Sequence, residues 1–277
     1  MNAPIPVIGC GGGGCGIVSL LEADAVLSPV TVNLSSARGG GPTVSMDARG
    51  MTGCKGDPFL GWAMADSNYD DILAHVLGKP AVIVVATLGG GTGSGVLEAV
   101  LDRIDGDCTR VLAVVGIPFS FEGGRRERAS RELRRISAAA DCTIVFDMDR
   151  LAEVVGDDVG LSEALDAVGE LMRDAVHRLA DLLEGPFASL FPDPSYTVSY
   201  AASADPDAVL AALDKGYSSA DPADGRIVIH LCPDISPREA DLVARTVCDR
   251  TGIYPETVRG SGGTGMMMFI PSACRAL

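Results

Sequence analysis

Two glycine clusters carry the clearest chemical signal in this chain. The first, Gly9-Cys10-Gly11-Gly12-Gly13-Gly14, follows an apolar, partly β-branched segment (Ile5 to Ile8) and precedes a helical pattern (Ile17 to Leu27). Bare backbone amides at the positive end of a helix suit a phosphate group. Alone, the cluster also fits the G-x-G-x-x-G pattern of a dinucleotide-binding fold, and glycine runs of this kind can be simple turns. A dinucleotide fold wants an acidic residue at the end of its second strand, where this chain has Asn33, Leu34, Ser35 and Ser36. The second cluster, Leu88-Gly89-Gly90-Gly91-Thr92-Gly93-Ser94-Gly95, again follows an apolar strand pattern and opens a helix. Two such loops at one sheet edge could embrace a single polyphosphate, a far more specific signal than either run alone. No G-x-x-x-x-G-K-[ST] occurs, which removes the P-loop alternative.

Other reactive side chains are sparse. The lysines are Lys55, Lys79 and Lys215, and Lys55 stands in a third glycine-containing stretch, Thr52-Gly53-Cys54-Lys55-Gly56-Asp57-Pro58. Its ammonium could act as a point charge on a phosphate. Cys10, Cys15 and Cys54 fall in the same loops, so small apolar packing and a thiolate or redox-sensitive site are both open. The eight cysteines form no Cys-x-x-Cys pair, and His75, His177 and His230 lie far apart, a pattern that gives no zinc site and favours reduced thiols. A net charge of -15 repels phosphate backbones and anionic lipid, which makes nucleic acid an improbable partner. No apolar run reaches the roughly 18 to 20 residues of a membrane span. The start lacks a basic segment before an apolar stretch, and the expectation is a cytoplasmic protein with no transmembrane segment.

These loops need a scaffold, and the pattern supplies one. Strands are predicted at Ile5–Ile8, Val30–Leu34, Ala81–Leu88, Val111–Gly116 and Thr143–Phe146. Helices follow at Ile17–Leu27, Asp70–Leu77, Gly95–Ile104 and Arg125–Ala140. Strands that alternate with helices and are apolar throughout argue for an α/β fold with a parallel sheet covered on both faces. From Leu161 to Leu183 one long helix is predicted, ending before Gly185-Pro186. A smaller α/β unit then follows: strand Tyr196–Ala202, helix Pro206–Lys215, strand Arg226–Leu231, helix Pro237–Thr251 and strands near Tyr254–Val258 and Met266–Ile270. The expected division is residues 1–160, a central helix 161–184, and 185–277.

The second glycine cluster resembles the signature of the tubulin and FtsZ superfamily, and other stretches agree in order and spacing. Thr52 to Pro58 is similar to the family's loop that closes over the terminal phosphate. Ile117-Pro118-Phe119-Ser120-Phe121-Glu122-Gly123-Gly124-Arg125-Arg126 is similar to the FtsZ segment in which a glutamate and an arginine four residues later hold the ribose. The likeness covers about Pro6 to Leu183 well and Gly225 to Ile270 loosely. It implies GTP or GDP as ligand, with Mg2+, and a nucleotide site of Gly11, Gly12, Gly13, Gly14, Cys54, Lys55, Gly56, Gly89, Gly90, Gly91, Thr92, Gly93, Ser94, Glu122 and Arg126. Glu122 is then the ribose acceptor and Arg126 its companion.

The chain departs from that pattern in two places. Three asparagines that touch the guanine region in FtsZ align with Gly16, Met148 and Gly169, and the base-reading aspartate aligns with Glu170. Glu170 could still accept two hydrogen bonds from guanine. After the long helix, FtsZ carries an asparagine and two aspartates that reach the next subunit's nucleotide and position the attacking water. This chain has Glu184-Gly185-Pro186-Phe187-Ala188-Ser189-Leu190-Phe191-Pro192-Asp193 instead, leaving Asp193 or Glu184 as substitute acids, and the helix after that motif looks deleted. Three readings result: a GTP-binding switch or assembly protein with weak or absent hydrolysis, a filament-forming GTPase that uses a substitute carboxylate, or an enzyme that reuses the pocket for another nucleotide or cofactor. A homo-oligomer or a protein partner fits the first two.

Overall fold

A computed structural model of the chain describes residues 3–24, 26–34, 41–46, 50–104, 109–155, 160–183, 195–201, 226–232, 234–259 and 265–271. These fall into two compact units, Met1–Met148 and Asp149–Ala273, which groups the long central helix with the C-terminal part.

The first unit contains strands β1 (Ile5–Cys10), β2 (Leu27–Asn33), β3 (Thr43–Ser45), β4 (Ala81–Thr87), β5 (Arg110–Ile117) and β6 (Cys142–Asp147). They pair in the order β3-β2-β1-β4-β5-β6, every pair parallel. Successive side chains of β4 and β5 point to opposite faces yet nearly all are buried, so both faces are covered. The cover comes from α1 (Gly11–Val18), α2 (Pro58–Ser67), α3 (Tyr69–Val76), α4 (Thr92–Ile104) and α5 (Gly124–Ala139). The α/β class read from the sequence is the fold observed.

The helix after β1 differs from expectation. It begins inside the glycine cluster at Gly11 and stops at Val18, while Leu27 opens β2 instead of closing a helix. Glycine makes this possible: a Cβ on Gly14 would lie 2.2 Å from the Val85 carbonyl oxygen, so the helix descends onto β4 at a distance that no larger residue allows. Leu21 and Leu27 supplied the misleading helical spacing. Both are buried, one in a loop and one in a strand.

Three segments that pattern alone did not mark are also regular: β3, α2 and α6 (Met148–Val155). β3 is three residues long, too short for an alternating signal.

The second unit holds α7 (Leu161–Leu183), β7 (Ser195–Ala201), β8 (Arg226–Leu231), α8 (Pro237–Thr251), β9 (Glu256–Arg259) and β10 (Gly265–Pro271). Here β10 runs antiparallel to both β7 and β8, and β8 runs parallel to β9. The apolar stripe of α7 holds from Val168 through Met172, Val176 and Leu179 to Leu183, whereas Leu165 is exposed. α8 starts where the Ser236 hydroxyl accepts from the Glu239 amide and ends at Gly252, whose φ of +74° closes the last turn. The helix expected at 206–215 lies outside the described residues, as does the Pro-rich link expected at 187–195 except for Ser195, which opens β7. No described helix is long and apolar enough to cross a membrane.

Candidate functional site

Parallel pairing brings Cys10 beside Ala86 and Thr87 beside Gly116, so the loops after β1, β4 and β5 rise from the carboxyl edge of one sheet. Backbone meets backbone where they touch. Gly11 has a φ of +64°, and a Cβ there would lie 2.5 Å from the Gly93 nitrogen, which seats the first glycine loop directly on the second. Gly91 meets the third loop in the same way, with a Cβ position 2.8 Å from both the Cys54 carbonyl oxygen and the Asp57 nitrogen. The Thr92 hydroxyl accepts from the Cys54 amide at 3.3 Å and ties the same two loops. Gly93 packs on the Cys10 and Thr87 carbonyls, and Gly13 stands over the Thr87 side chain.

Gly12 and Gly90 are different. A Cβ on either meets nothing within 4 Å. Both residues therefore border open space on the side a Cβ would take, beside the N-termini of α1 and α4, where backbone partial charge favours an anion.

The third loop is a tight turn in which the Asp57 amide donates to the Cys54 carbonyl at 2.8 Å. Its central residues Lys55 and Gly56 both have positive φ, 49° and 81°, the signature of a type I′ turn. Lys55 is exposed and is the one non-glycine residue with positive φ among those described. Asp57 then caps α2 by accepting from the amides of Phe59 at 3.0 Å and Leu60 at 3.3 Å.

Ion pairs and hydrogen bonds hold the charged groups at the start of α5 and just before it. Glu122 accepts from the Phe119 amide at 3.2 Å and forms an ion pair with Arg125 at 2.7 Å. Arg126, the expected companion of Glu122 at the ribose, reaches Asp147 at 2.7 Å and donates to the Pro118 carbonyl at 2.6 Å. Arg125 Nη2 also lies 3.4 Å from the Thr87 hydroxyl, at the foot of both glycine loops. Ser94 is fully buried, and its hydroxyl donates to Glu132 at 2.6 Å. The Gly89 amide donates to the same carboxylate oxygen at 2.7 Å, and Arg128 donates to the Gly89 carbonyl at 3.2 Å. Glu132, Arg125 and Arg128 escaped the sequence reading because α5 is crowded with arginine and glutamate. A signal existed: Ala129, Leu133 and Ile136 fix the buried stripe of α5, and Glu132 falls within it.

The cysteines of the loops are buried. Burial, then the neighbouring Cys15, pushes the Cys10 thiol well above its ordinary value, and burial pushes Cys15 up to about 11. Cys15 donates to the Gly9 carbonyl at 3.1 Å. At neutral pH these two are protonated packing groups and not nucleophilic thiolates. Among the described residues no cluster of three or more His, Cys, Asp or Glu side chains is arranged to hold a metal ion. Glu170 lies on α7, in the second unit, half-exposed and paired with Arg173 at 2.7 Å. Asp193 and Glu184 lie outside the described residues.

An α/β unit with two glycine loops and a type I′ turn packed at one strand edge defines a class, and known proteins identify it. The profile of the Tubulin/FtsZ family, GTPase domain, matches residues 43–156. The cell division protein FtsZ of Neisseria gonorrhoeae is 30% identical over 196 residues, covering 66% of this chain and 49% of that protein. FtsZ of Methanothermobacter thermautotrophicus is 31% identical over 194 residues, covering 67% and 51%. The chain thus spans about half the length of these relatives. Among solved structures, an empty FtsZ dimer of M. jannaschii superposes with a TM-score of 0.79 at 22% identity over 97% of this chain and 88% of that one. The GTPγS-bound protofilament of CetZ2 from Haloferax volcanii gives 0.72 at 24% identity over 96% and 92%. The chain belongs to the tubulin/FtsZ superfamily, as a divergent member.

Proposed function

We propose that the first unit binds a guanine nucleotide, GTP or GDP, across its two glycine loops, and that the protein acts as a switch or assembly protein with slow intrinsic hydrolysis. The observation that carries this reading is the arrangement of the three loops. They are packed backbone on backbone at Gly11 and Gly91 and leave Gly12 and Gly90 open at the sheet edge. The phosphates lie along Gly11–Gly14 and Gly89–Ser94, with the Cys54–Gly56 turn over the terminal group and Lys55 supplying a charge there. Glu122 and the Arg126–Asp147 pair stand on the ribose side. A magnesium ion travels with the nucleotide, held chiefly by phosphate oxygens.

Slow hydrolysis follows from the sequence after α7. It lacks the asparagine and paired aspartates that the resemblance leads one to expect, and loss of a water-orienting group costs on the order of a hundredfold in rate. Glycine amides and Lys55 hold ground state and transition state about equally, and such uniform binding accelerates little. The relatives that are cell division proteins and the neighbour solved as a protofilament favour a second reading, in which copies of this chain assemble and Asp193 supplies the missing acid.

One experiment separates the two. Phosphate release is measured over a wide range of protein concentration, with light scattering alongside and an Asp193→Ala variant in parallel. Slow turnover independent of concentration supports the first reading. Specific activity that climbs with concentration and collapses in the variant overturns it in favour of the second. Mass spectrometry of the ligand released from purified protein tests the nucleotide itself, and a ligand without a guanine base would overturn both.

A further inference from the structure

The second glycine loop is gripped from behind by α5, and the grip falls on the loop's two ends. Glu132 is 3% exposed, and its Oε2 accepts from the Gly89 amide at 2.7 Å and from the Ser94 hydroxyl at 2.6 Å. One turn earlier, Arg128 Nε donates to the Gly89 carbonyl. The α5 backbone closes on the same point, since a Cβ on Gly89, where φ is +75°, would lie 2.1 Å from the Arg125 carbonyl oxygen. Both polar groups of the Gly89 residue are thus held by side chains one helical turn apart.

A carboxylate is costly to bury, and two short charge-assisted hydrogen bonds are the kind of compensation that keeps it inside. The donors it uses belong to a loop whose amides are otherwise suited to a phosphate. We propose that Glu132 is the positioning residue of this loop: an internal anion that holds Gly89–Ser94 in its ligand-ready shape before any phosphate arrives. The inference rests on the proposed polyphosphate site. It has two consequences. Nucleotide entry needs little ordering of the loop, so less of the interaction energy is lost to entropy. The Ser94 hydroxyl is turned inward to Glu132, and phosphate contact falls to the amides between the two anchored ends.

Removing the carboxylate strands two buried donors, whereas glutamine keeps an acceptor oxygen of the same reach. Amide hydrogen exchange is compared in nucleotide-free wild type, Glu132→Ala and Glu132→Gln, followed by titration with GDP and GTP. In Glu132→Ala the amides of residues 89–95 are expected to exchange about tenfold faster than in wild type while those of β5 and β6 hold, consistent with loss of roughly 1.4 kcal/mol of local stability. Saturating GDP should restore their protection, which a simple loss of fold would not permit. Glu132→Gln should remain within about threefold of wild type in both exchange and affinity. Ser94→Ala, which removes a single donor and no charge, should show a smaller loss in the same amides and carries the test should the alanine variant not fold. Unchanged exchange in both Glu132→Ala and Ser94→Ala, or a glutamine variant as defective as alanine, would overturn the proposal. Wild-type protein that binds no guanine nucleotide would overturn the site reading instead, and the ligand-free exchange would still decide whether Glu132 holds the loop.

Discussion

The two units treat their exceptional residues in opposite ways. At the loop edge of the first unit, departures from ordinary chain rules are concentrated and each has a neighbour that requires it. Gly91 is glycine because Cys54 and Asp57 occupy its side-chain space, Glu132 is buried because Gly89 and Ser94 need its oxygen, and Lys55 is left-handed because the turn beneath it demands positive φ. In the second unit the clearest exception is His230, fully buried on β8 with both ring nitrogens lacking a hydrogen-bond partner. Clustered and mutually supporting exceptions are what the proposed nucleotide site leads one to expect, whereas an isolated exception is read as a cost borne by the fold. Experiments that disturb one exception at a time test that distinction.

The largest effect is expected at Gly91. A valine side chain there has no room against the third loop, and Gly91→Val should lose about 3 kcal/mol or more of stability together with nucleotide binding. Gly12→Val sharpens the contrast, because its Cβ enters open space: melting temperature should hold while nucleotide affinity falls steeply. Calorimetric melts paired with nucleotide titrations read both, and a Gly12→Val protein with undiminished affinity would remove the first loop from the site.

Next in size is His230. Burial first, then the charges of Arg178 and His177, lowers its pKa from 6.5 to about 3. A histidine so lowered stays neutral in the folded chain while the unfolded chain takes up a proton, so its contribution is full above 6.5 and is lost as pH falls toward 3. Between pH 6.5 and about pH 5 this amounts to about 2 kcal/mol at 1.36 kcal/mol per unit. His230→Leu should flatten that part of the stability curve in denaturant titrations and leave nucleotide affinity at neutral pH unaltered. An unchanged slope, or a loss of binding, would contradict the reading of His230 as a cost to the fold alone.

Much of the frame was legible in the sequence because strand after strand of the first unit is apolar end to end and each is followed by punctuation. β8, α7 and α8 matched their predicted ends because a proline, a serine cap or a glycine marks each boundary. The first helix was misread because its contacts depend on missing side chains, which leave no hydrophobic period to count. The glycine loops announced themselves by composition, but the division of labour within them did not. Which glycine faces protein and which faces open space depends on where another backbone passes, as Gly91 and Gly90, adjacent in sequence, demonstrate. The partners of Arg125, Arg126 and Glu132 were hidden for a different reason: on a helix with so many charges, spacing alone does not select a pair.

The smallest effect concerns Lys55, and it tests whether strain at the loop edge serves the ligand. Lys55 has a φ of 49° in a turn whose next residue, Gly56, has a φ of 81°. A lysine in the left-handed region costs about 1 kcal/mol, because its Cβ crowds the following carbonyl. Glycine at this position would remove the strain but add freedom to the unfolded chain, and the two effects nearly cancel. Asparagine tolerates the left-handed region without that added freedom, so Lys55→Asn isolates the strain. Stability should rise by about 0.5 to 1 kcal/mol, seen as an upward shift of a few degrees in melting temperature. Were the lysine kept for its ammonium, the same variant should weaken GTP several-fold more than GDP, since only the triphosphate presents a terminal group to the turn. A more stable protein that binds the two nucleotides in the wild-type ratio would leave the strain unexplained by the ligand, and Lys55 would join His230 as a cost carried by the fold.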